Sequence, residues 1–146
     1  MIRLSRMTDY GVVVMTYMAW HGSETLSAHQ VATATGLPEA TAGKLLKLFA
    51  RAGLLKSRRG ARGGYALTSK PEEISLARVV EAVEGPIALT LCVDDHPGHC
   101  DVEALCPMRG GWNQINAALR DAFEGVSLAA MTAPALPLAG LRHMEA

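Results

Sequence analysis

From Lys44 to Lys70 the chain has no aspartate and no glutamate, yet it carries eight basic residues there: Lys44, Lys47, Arg51, Lys56, Arg58, Arg59, Arg62 and Lys70. The other six of its 14 lysines and arginines are set against all 14 acidic residues, so a formal net charge of zero hides a basic block in an acidic body. Such a block is the electrostatic footprint of a nucleic-acid surface, and it also suits a solvated face. Long apolar runs are missing too. Val12 to Trp20 falls well short of the roughly 20 residues that span a bilayer. Arg3 and Arg6 are not followed by a long apolar core with a small-residue cleavage site, so the expectation is a cytoplasmic protein with no membrane partner. Cysteine is confined to Cys92, Cys100 and Cys106. An odd count in a reducing compartment argues against a disulfide framework. There is no internal repeat, no cofactor fingerprint and no nucleophile with a convincing base, so an enzyme is not expected; a thiol enzyme built on Cys92 would need a pocket that the sequence does not reveal.

What is present is mostly helical periodicity, and at 49% apolar residues the 146-residue chain can build one core. "TDYGVVVMTYMAW" is apolar nearly all round and reads as a buried helix, with Thr8 at its N-cap and His21-Gly22 as its stop. Ser27, with Gln30 three residues later, forms a capping box that opens a short helix. Gly36 ends that helix, because glycine tolerates the left-handed turn. Pro38 opens the next one at its first turn, where a missing N–H costs nothing. That helix, to Ala52, puts Leu45, Leu46, Phe49 and Ala52 on one face and Lys44, Lys47 and Arg51 on the other, and Gly53 stops it.

Two short helices with a glycine turn, the second one basic, read as a helix-turn-helix. "LLKSRRGARGGYALT" then reads as strand, basic turn, strand: Leu54 and Leu55 begin the first strand, Tyr65 and Leu67 alternate in the second, and Arg58, Arg59 and Arg62 lie in or beside the tip. A tip of arginine and glycine suits the narrow minor groove, because glycine lets the backbone approach and arginine answers the negative potential. A phosphate-cradling loop fits "RGARGGY" poorly, since neither a Lys-Ser/Thr pair nor a following helix is present. Ser75 caps a helix with Leu76, Val79, Val80 and Val83 as its buried stripe, closed by Gly85-Pro86. Later, Trp112, Ile115, Leu119, Ala122 and Phe123 form an amphipathic stripe, weakened near its start by Gly110-Gly111, and Ser127 caps a last turn. The expected fold is mainly α with a small β-hairpin: a winged helix-turn-helix plus a long C-terminal dimerisation helix. The expected division is 1–85 as the DNA-binding domain, 86–107 as a cysteine loop, 108–131 as dimerisation helix and final turn, and 132–146 as a flexible tail rich in Ala, Pro and Leu.

The three cysteines sit among Asp94, Asp95, His96, His99, Asp101 and Glu103. Thiolates are soft ligands suited to zinc, copper(I) and iron–sulfur clusters. The spacing lacks the paired CxxC units of structural zinc. Buried structural cysteines or reactive thiols are the plainer readings, and buried cysteines seldom come flanked by acids and histidines.

"MTDYGVVVM", "GLPEATAGKLLKLFARAGLL", "RRGARGGYAL", "EEISLARVVEAVEGPIAL", the three cysteines and "CPMRGGWNQIN…VSLAAM" together resemble the Rrf2 family of bacterial winged-helix repressors, over about residues 1 to 131. That family includes the iron–sulfur cluster regulator, the nitric-oxide-sensing repressor and the rhizobial iron regulator, and the chain looks most like the branch that governs the SUF iron–sulfur assembly system. The resemblance implies that Cys92, Cys100 and Cys106 hold a 2Fe–2S or 4Fe–4S cluster. In one branch the fourth ligand is a histidine three residues after the last cysteine; here Arg109 stands there, and it stays protonated. In the nitric-oxide sensor the fourth ligand is an aspartate from the other subunit, which matches Asp9; His96, His99 or a small molecule are alternatives. The plainer role of Asp9 is a helix N-terminal charge, stabilising by about 0.3–1 kcal/mol. Matched positions put Ala40, Thr41 and Lys44 at the major groove, and Arg59 with Gly60 in the minor groove. Gly43 and Pro38 depart from the cluster regulator's glutamate and serine, so its operator sequence does not carry over.

The expectation is a dimeric regulator, a repressor on a palindromic duplex operator, sensing cluster, iron, redox or nitric-oxide status and controlling cluster-assembly genes. Lys47, Arg51, Arg58 and Arg62 complete the expected DNA-binding set. The alternative is a zinc-binding or redox-thiol winged-helix protein whose basic block docks on RNA or protein.

Overall fold

The computed structural model describes residues 2–93 and 100–132; the expectations for Asp94, Asp95, His96, His99 and the tail after Thr132 lie outside the described residues, as do the side chains of Glu103 and Arg109. Six helices and one hairpin follow in the order α1 (Arg6–Trp20), α2 (Ala28–Thr35), α3 (Glu39–Arg51), β1 (Leu55–Arg58), β2 (Gly64–Leu67), α4 (Leu76–Glu84), α5 (Arg109–Glu124) and α6 (Leu128–Thr132), with single 3-10 turns at Pro71–Glu73 and Glu103–Leu105.

The core lies where α1, α3 and α4 meet the base of the hairpin. Val14, Met15 and Met18 from α1, Val31 from α2, and Leu45, Leu46 and Phe49 from α3 pack with Leu54, Leu55, Leu67, Ile74 and Val79. α1 presses close to its neighbours: a Cβ on Gly11 would stand 3.0 Å from Phe49 Cζ and 3.2 Å from Val83 Cγ2. Its far side is not covered as its all-round apolar sequence suggests, for Val13 and Trp20 are exposed. Ser5, not Thr8, caps α1, accepting from the Thr8 N–H. Thr8 is fully buried instead, and its hydroxyl donates to Glu84 Oε1 at 2.5 Å.

The capping box of α2 forms as expected, with Ser27 accepting from Gln30 N and Gln30 accepting from Ser27 N, and Gly36 turns left-handed at φ 72°. Pro38 sits one position earlier than expected, as the N-cap of α3, where its carbonyl accepts from Thr41 N and Ala42 N at 3.0 Å. Ala52 is the C-cap and is exposed, so it leaves the buried face to Ala42, Leu45, Leu46 and Phe49. Leu54 precedes the hairpin, which pairs Leu55 with Leu67 and Arg58 with Gly64. Ala66 and Leu67 are both buried, so the expected alternation in β2 is broken; its inner end runs into the core. Ser75 caps α4, and Gly85 (φ 88°) ends it.

α5 takes in Gly110 and Gly111, and none of its described residues is buried. Ala122 is exposed, and Leu119 and Phe123 are half-buried. Arg120 pins α5 to α4 through Glu81 at 3.3 Å. α6, capped by Ser127, returns to the first half of the chain: Leu128 is fully buried in its core, and a bridge pairs Ser127 with Ser75.

Candidate DNA-binding surface and thiol loop

The capping box and Gly36 set α2 and α3 at a tight turn, with the basic side of α3 left to solvent. Ala40, Lys44, Lys47 and Arg51 line one groove of about 600 Å3 together with Ala28, Glu39, Gly43, Leu48 and Tyr65. Thr41 stands beside this groove, half-buried. Glu39 places an acid at the mouth, paired with His29 Nδ1 at 3.1 Å. Sequence reasoning missed Tyr65, Glu39 and His29 here. Tyr65 belongs to β2, and only the fold brings it beside α3.

Arg58, Arg59, Gly60 and Arg62 are all exposed at the far end of the hairpin. Gly60 is at φ 107°, and its carbonyl accepts from Gly63 N at 2.9 Å, closing the tip. Gly64 holds φ 154°, and a Cβ there would collide with the Leu26 carbonyl. That approach lets Tyr65 and Leu26 exchange backbone hydrogen bonds of 2.8 and 2.9 Å. The wing is thereby tied to the residue that precedes the N-cap of α2.

Cys92, Cys100 and Cys106 are free thiols, each half-buried. Cys92 lies in a turn closed by Val93 N donating to the Thr90 carbonyl, with its Sγ 3.2 Å from Thr90 Oγ1. Cys106 stands just ahead of α5. Asp9 is exposed in the first turn of α1, on a groove of about 470 Å3 that also includes Val13, Trp20 and Met131. Among the described residues, no three His, Cys, Asp or Glu side chains are gathered as a metal site. The three thiols and Asp9 are therefore not preassembled within one subunit. The fit to an iron–sulfur cluster is one of donor chemistry: three soft thiols, open enough to be reached, on one segment between two helices.

The approach to Cys92 is anchored twice. At its start, Glu84 accepts from Ser5 N at 2.8 Å and from the Thr8 hydroxyl, joining the end of α4 to the start of α1. The Thr8 hydrogen bond first, then those from Ser5, hold the Glu84 carboxyl below the ordinary glutamate range. Five residues before Cys92, the side chain of Asn116 on α5 bonds the backbone at Ile87 and Leu89. Neither anchor was read from the sequence. Asn116 did leave a signal, since a polar residue beside Ile115 and three before Leu119 interrupts the apolar stripe.

A helix-turn-helix whose second helix is basic, followed by a basic two-stranded wing tied to it, defines a winged-helix DNA-binding regulator. The chain belongs to the Rrf2 family: the family model described as "Iron-dependent Transcriptional regulator" matches residues 4–134. The transcriptional repressor NsrR of Streptomyces coelicolor is 31% identical over 125 residues, covering 84% of this chain and 78% of its own. Among solved structures, CymR of B. subtilis, described as the global cysteine regulator, aligns with a TM-score of 0.69 at 27% identity, covering 90% of this chain and 97% of its own. IscR of T. potens aligns with a TM-score of 0.65 at 26% identity, covering 89% and 85%. The protein is thus a DNA-binding transcriptional regulator and not an enzyme. Among the described residues, no helix is long and apolar enough to cross a membrane.

Proposed function

We propose that this regulator is a homodimeric repressor that holds an iron–sulfur cluster on Cys92, Cys100 and Cys106 and reads a palindromic operator. The observation that carries the reading is the confinement of every thiol in the chain to the segment joining α4 to α5. The relatives NsrR and IscR support it as regulators of the same family. When bound, the cluster supplies a centre that reacts with oxygen or nitric oxide. Asp9 of the partner subunit completes the ligand set. A carboxylate is a harder and weaker ligand than a thiolate, so that position is the labile one.

The chain's own residues do the rest. Residues 1–85 carry the DNA contacts, 86–107 the thiols and 108–131 the dimer contact. Ala40, Thr41 and Lys44 face the major groove, Arg59 and Gly60 enter the minor groove, and Lys47, Arg51, Arg58 and Arg62 meet phosphates. α5 is about 24 Å long, packs among the described residues mainly on α4, and exposes Trp112 and Ile115. A second α5 is its natural cover, and two-fold symmetry matches a palindrome. A change at the thiols shifts α5 and with it the spacing of the two recognition helices. A movement of about 1–2 Å at a subunit interface is enough to switch half-site fit. Cluster-assembly genes are the targets this reading favours.

The test is duplex binding in the absence of oxygen, with the brown protein and with the same protein stripped of iron. The two forms should differ in affinity for a dyad-containing promoter fragment and should both prefer it to single-stranded RNA. A colourless protein holding stoichiometric zinc, or one that prefers the RNA, would contradict the reading.

A further inference from the structure

The segment that leads to Cys92 is not held by the helix it leaves. Gly85 and Pro86 end α4, and Ile87, Ala88 and Leu89 then belong to neither a helix nor a strand before the chain bends at Leu89 and Thr90. Two of this segment's backbone groups are met by one side chain. Leu89 N donates to Asn116 Oδ1 at 3.0 Å, and Asn116 Nδ2 donates to the Ile87 carbonyl at 2.9 Å. A primary amide carries an acceptor and a donor side by side, so the one side chain of Asn116 meets both the Leu89 N–H and the Ile87 carbonyl. The side chains of Ile87 and Leu89 meanwhile line an apolar cleft of about 420 Å3 with Leu119 and Phe123 of the same helix. Immediately after the clamped Leu89, Thr90 to Val93 turn back and present Cys92 beside the Thr90 hydroxyl.

Cys106 enters α5 only three residues before its first turn, and Asn116 lies about two turns further along the same helix. One helix thus sets the positions of the first and last thiols of the segment, the last through the chain and the first through a side chain. We propose that Asn116 is the positioning residue for Cys92: its amide fixes that thiol relative to α5, so that a change at the thiols is transmitted to this helix. The proposal rests on the thiol segment being the sensing element of the reading above. An apolar residue at 116 would pack as well but would leave the Ile87 carbonyl and the Leu89 N–H without their partner.

The experiment compares the full-length wild type with Asn116→Leu, Asn116→Asp and the control Asn113→Leu, which changes an exposed residue of the same helix. In reduced, metal-free protein, iodoacetamide modification is followed thiol by thiol by mass spectrometry. Loss of both hydrogen bonds should speed modification of Cys92 about tenfold, leaving Cys106 within about twofold of wild type. The control should match wild type. An unchanged Cys92 rate overturns the proposal, and so does equal acceleration of Cys106, which would mark a general loosening. Asn116→Asp keeps the acceptor for Leu89 N and turns the donor toward Ile87 into a second acceptor, so it carries the test should the leucine variant fail to fold. After loading with iron and sulfide, the variants should show a visible circular dichroism spectrum different from wild type at equal iron content; an identical spectrum overturns the proposal. A wild type that takes up neither iron nor sulfide sinks the cluster reading alone, because the modification rates are measured without metal.

Discussion

The first 84 residues and α5 handle apolar side chains in opposite ways. In the winged-helix half, Met15, Met18, Leu45, Leu46, Phe49 and Val79 are closed off from solvent, and α6 comes back to add Leu128. α5, the longest helix, buries none of its described residues and keeps Trp112 and Ile115 exposed. The first 84 residues share one core with α6, whereas among the described residues α5 has an apolar face that is only partly covered. The thiol segment lies between them, tied at its start to α5 by the two hydrogen bonds of Asn116. Local stability follows buried apolar contact, and moving parts come from the weakly packed end.

Substitutions can break this comparison at either side. Phe49→Ala removes a fully buried ring and should cost about 3–5 kcal/mol of stability by chemical denaturation, whereas Ile115→Ala should cost under about 1 kcal/mol in the monomer and instead weaken self-association measured by sedimentation. Equal losses in the two would erase the distinction. On the DNA side, Arg59→Ala should weaken operator binding by about 1–3 kcal/mol without changing the melting temperature. Wild-type affinity should fall steeply with salt: neutralising roughly eight phosphates per dimer gives a log–log slope near about −7. A slope near zero would mean that the basic face is only solvated. The smallest expected effect is at Glu84. Its carboxyl is held below the ordinary range in the folded state, so its contribution is present above the unfolded glutamate value and is lost as pH falls through the folded one. Glu84→Gln should therefore lose some stability near neutral pH and show a flatter decline on acidification, read from thermal melts across the acid range.

The winged helix was legible because its signals are local. Ser27 with Gln30, Gly36, Gly53, Ser75 and Gly85 each act within a few residues of themselves, and each mark falls where the structure has an end. The misplaced start of α1 has a non-local cause. Ser5 and Thr8 are both competent caps, and what decides between them is Glu84, 76 residues from Thr8, which engages the threonine hydroxyl. Pro38 shifts by one position because a proline can offer its carbonyl as the N-cap as readily as it can omit its N–H at the next residue. Ala66 breaks the expected alternation because the hairpin is short and its base is enclosed by the core on both faces. At the candidate site, the basic set on α3 and the wing could be read from charge and period. The partners that give those residues a shared surface, Tyr65 and the Leu26 bridge, could not, since they depend on pairing between segments far apart in the chain. Asn116 stood in plain view as a polar residue in an apolar stripe, but its two backbone partners are 27 and 29 residues away.

The most direct measurement is of iron and acid-labile sulfide per subunit in protein purified without oxygen, for wild type and for Cys100→Ala. The account predicts a brown wild type with iron and sulfide in equal amounts, at least two of each per subunit, and a colourless variant that keeps its fold and its dimer. A wild type with neither element, or a Cys100→Ala protein that retains both, would contradict it.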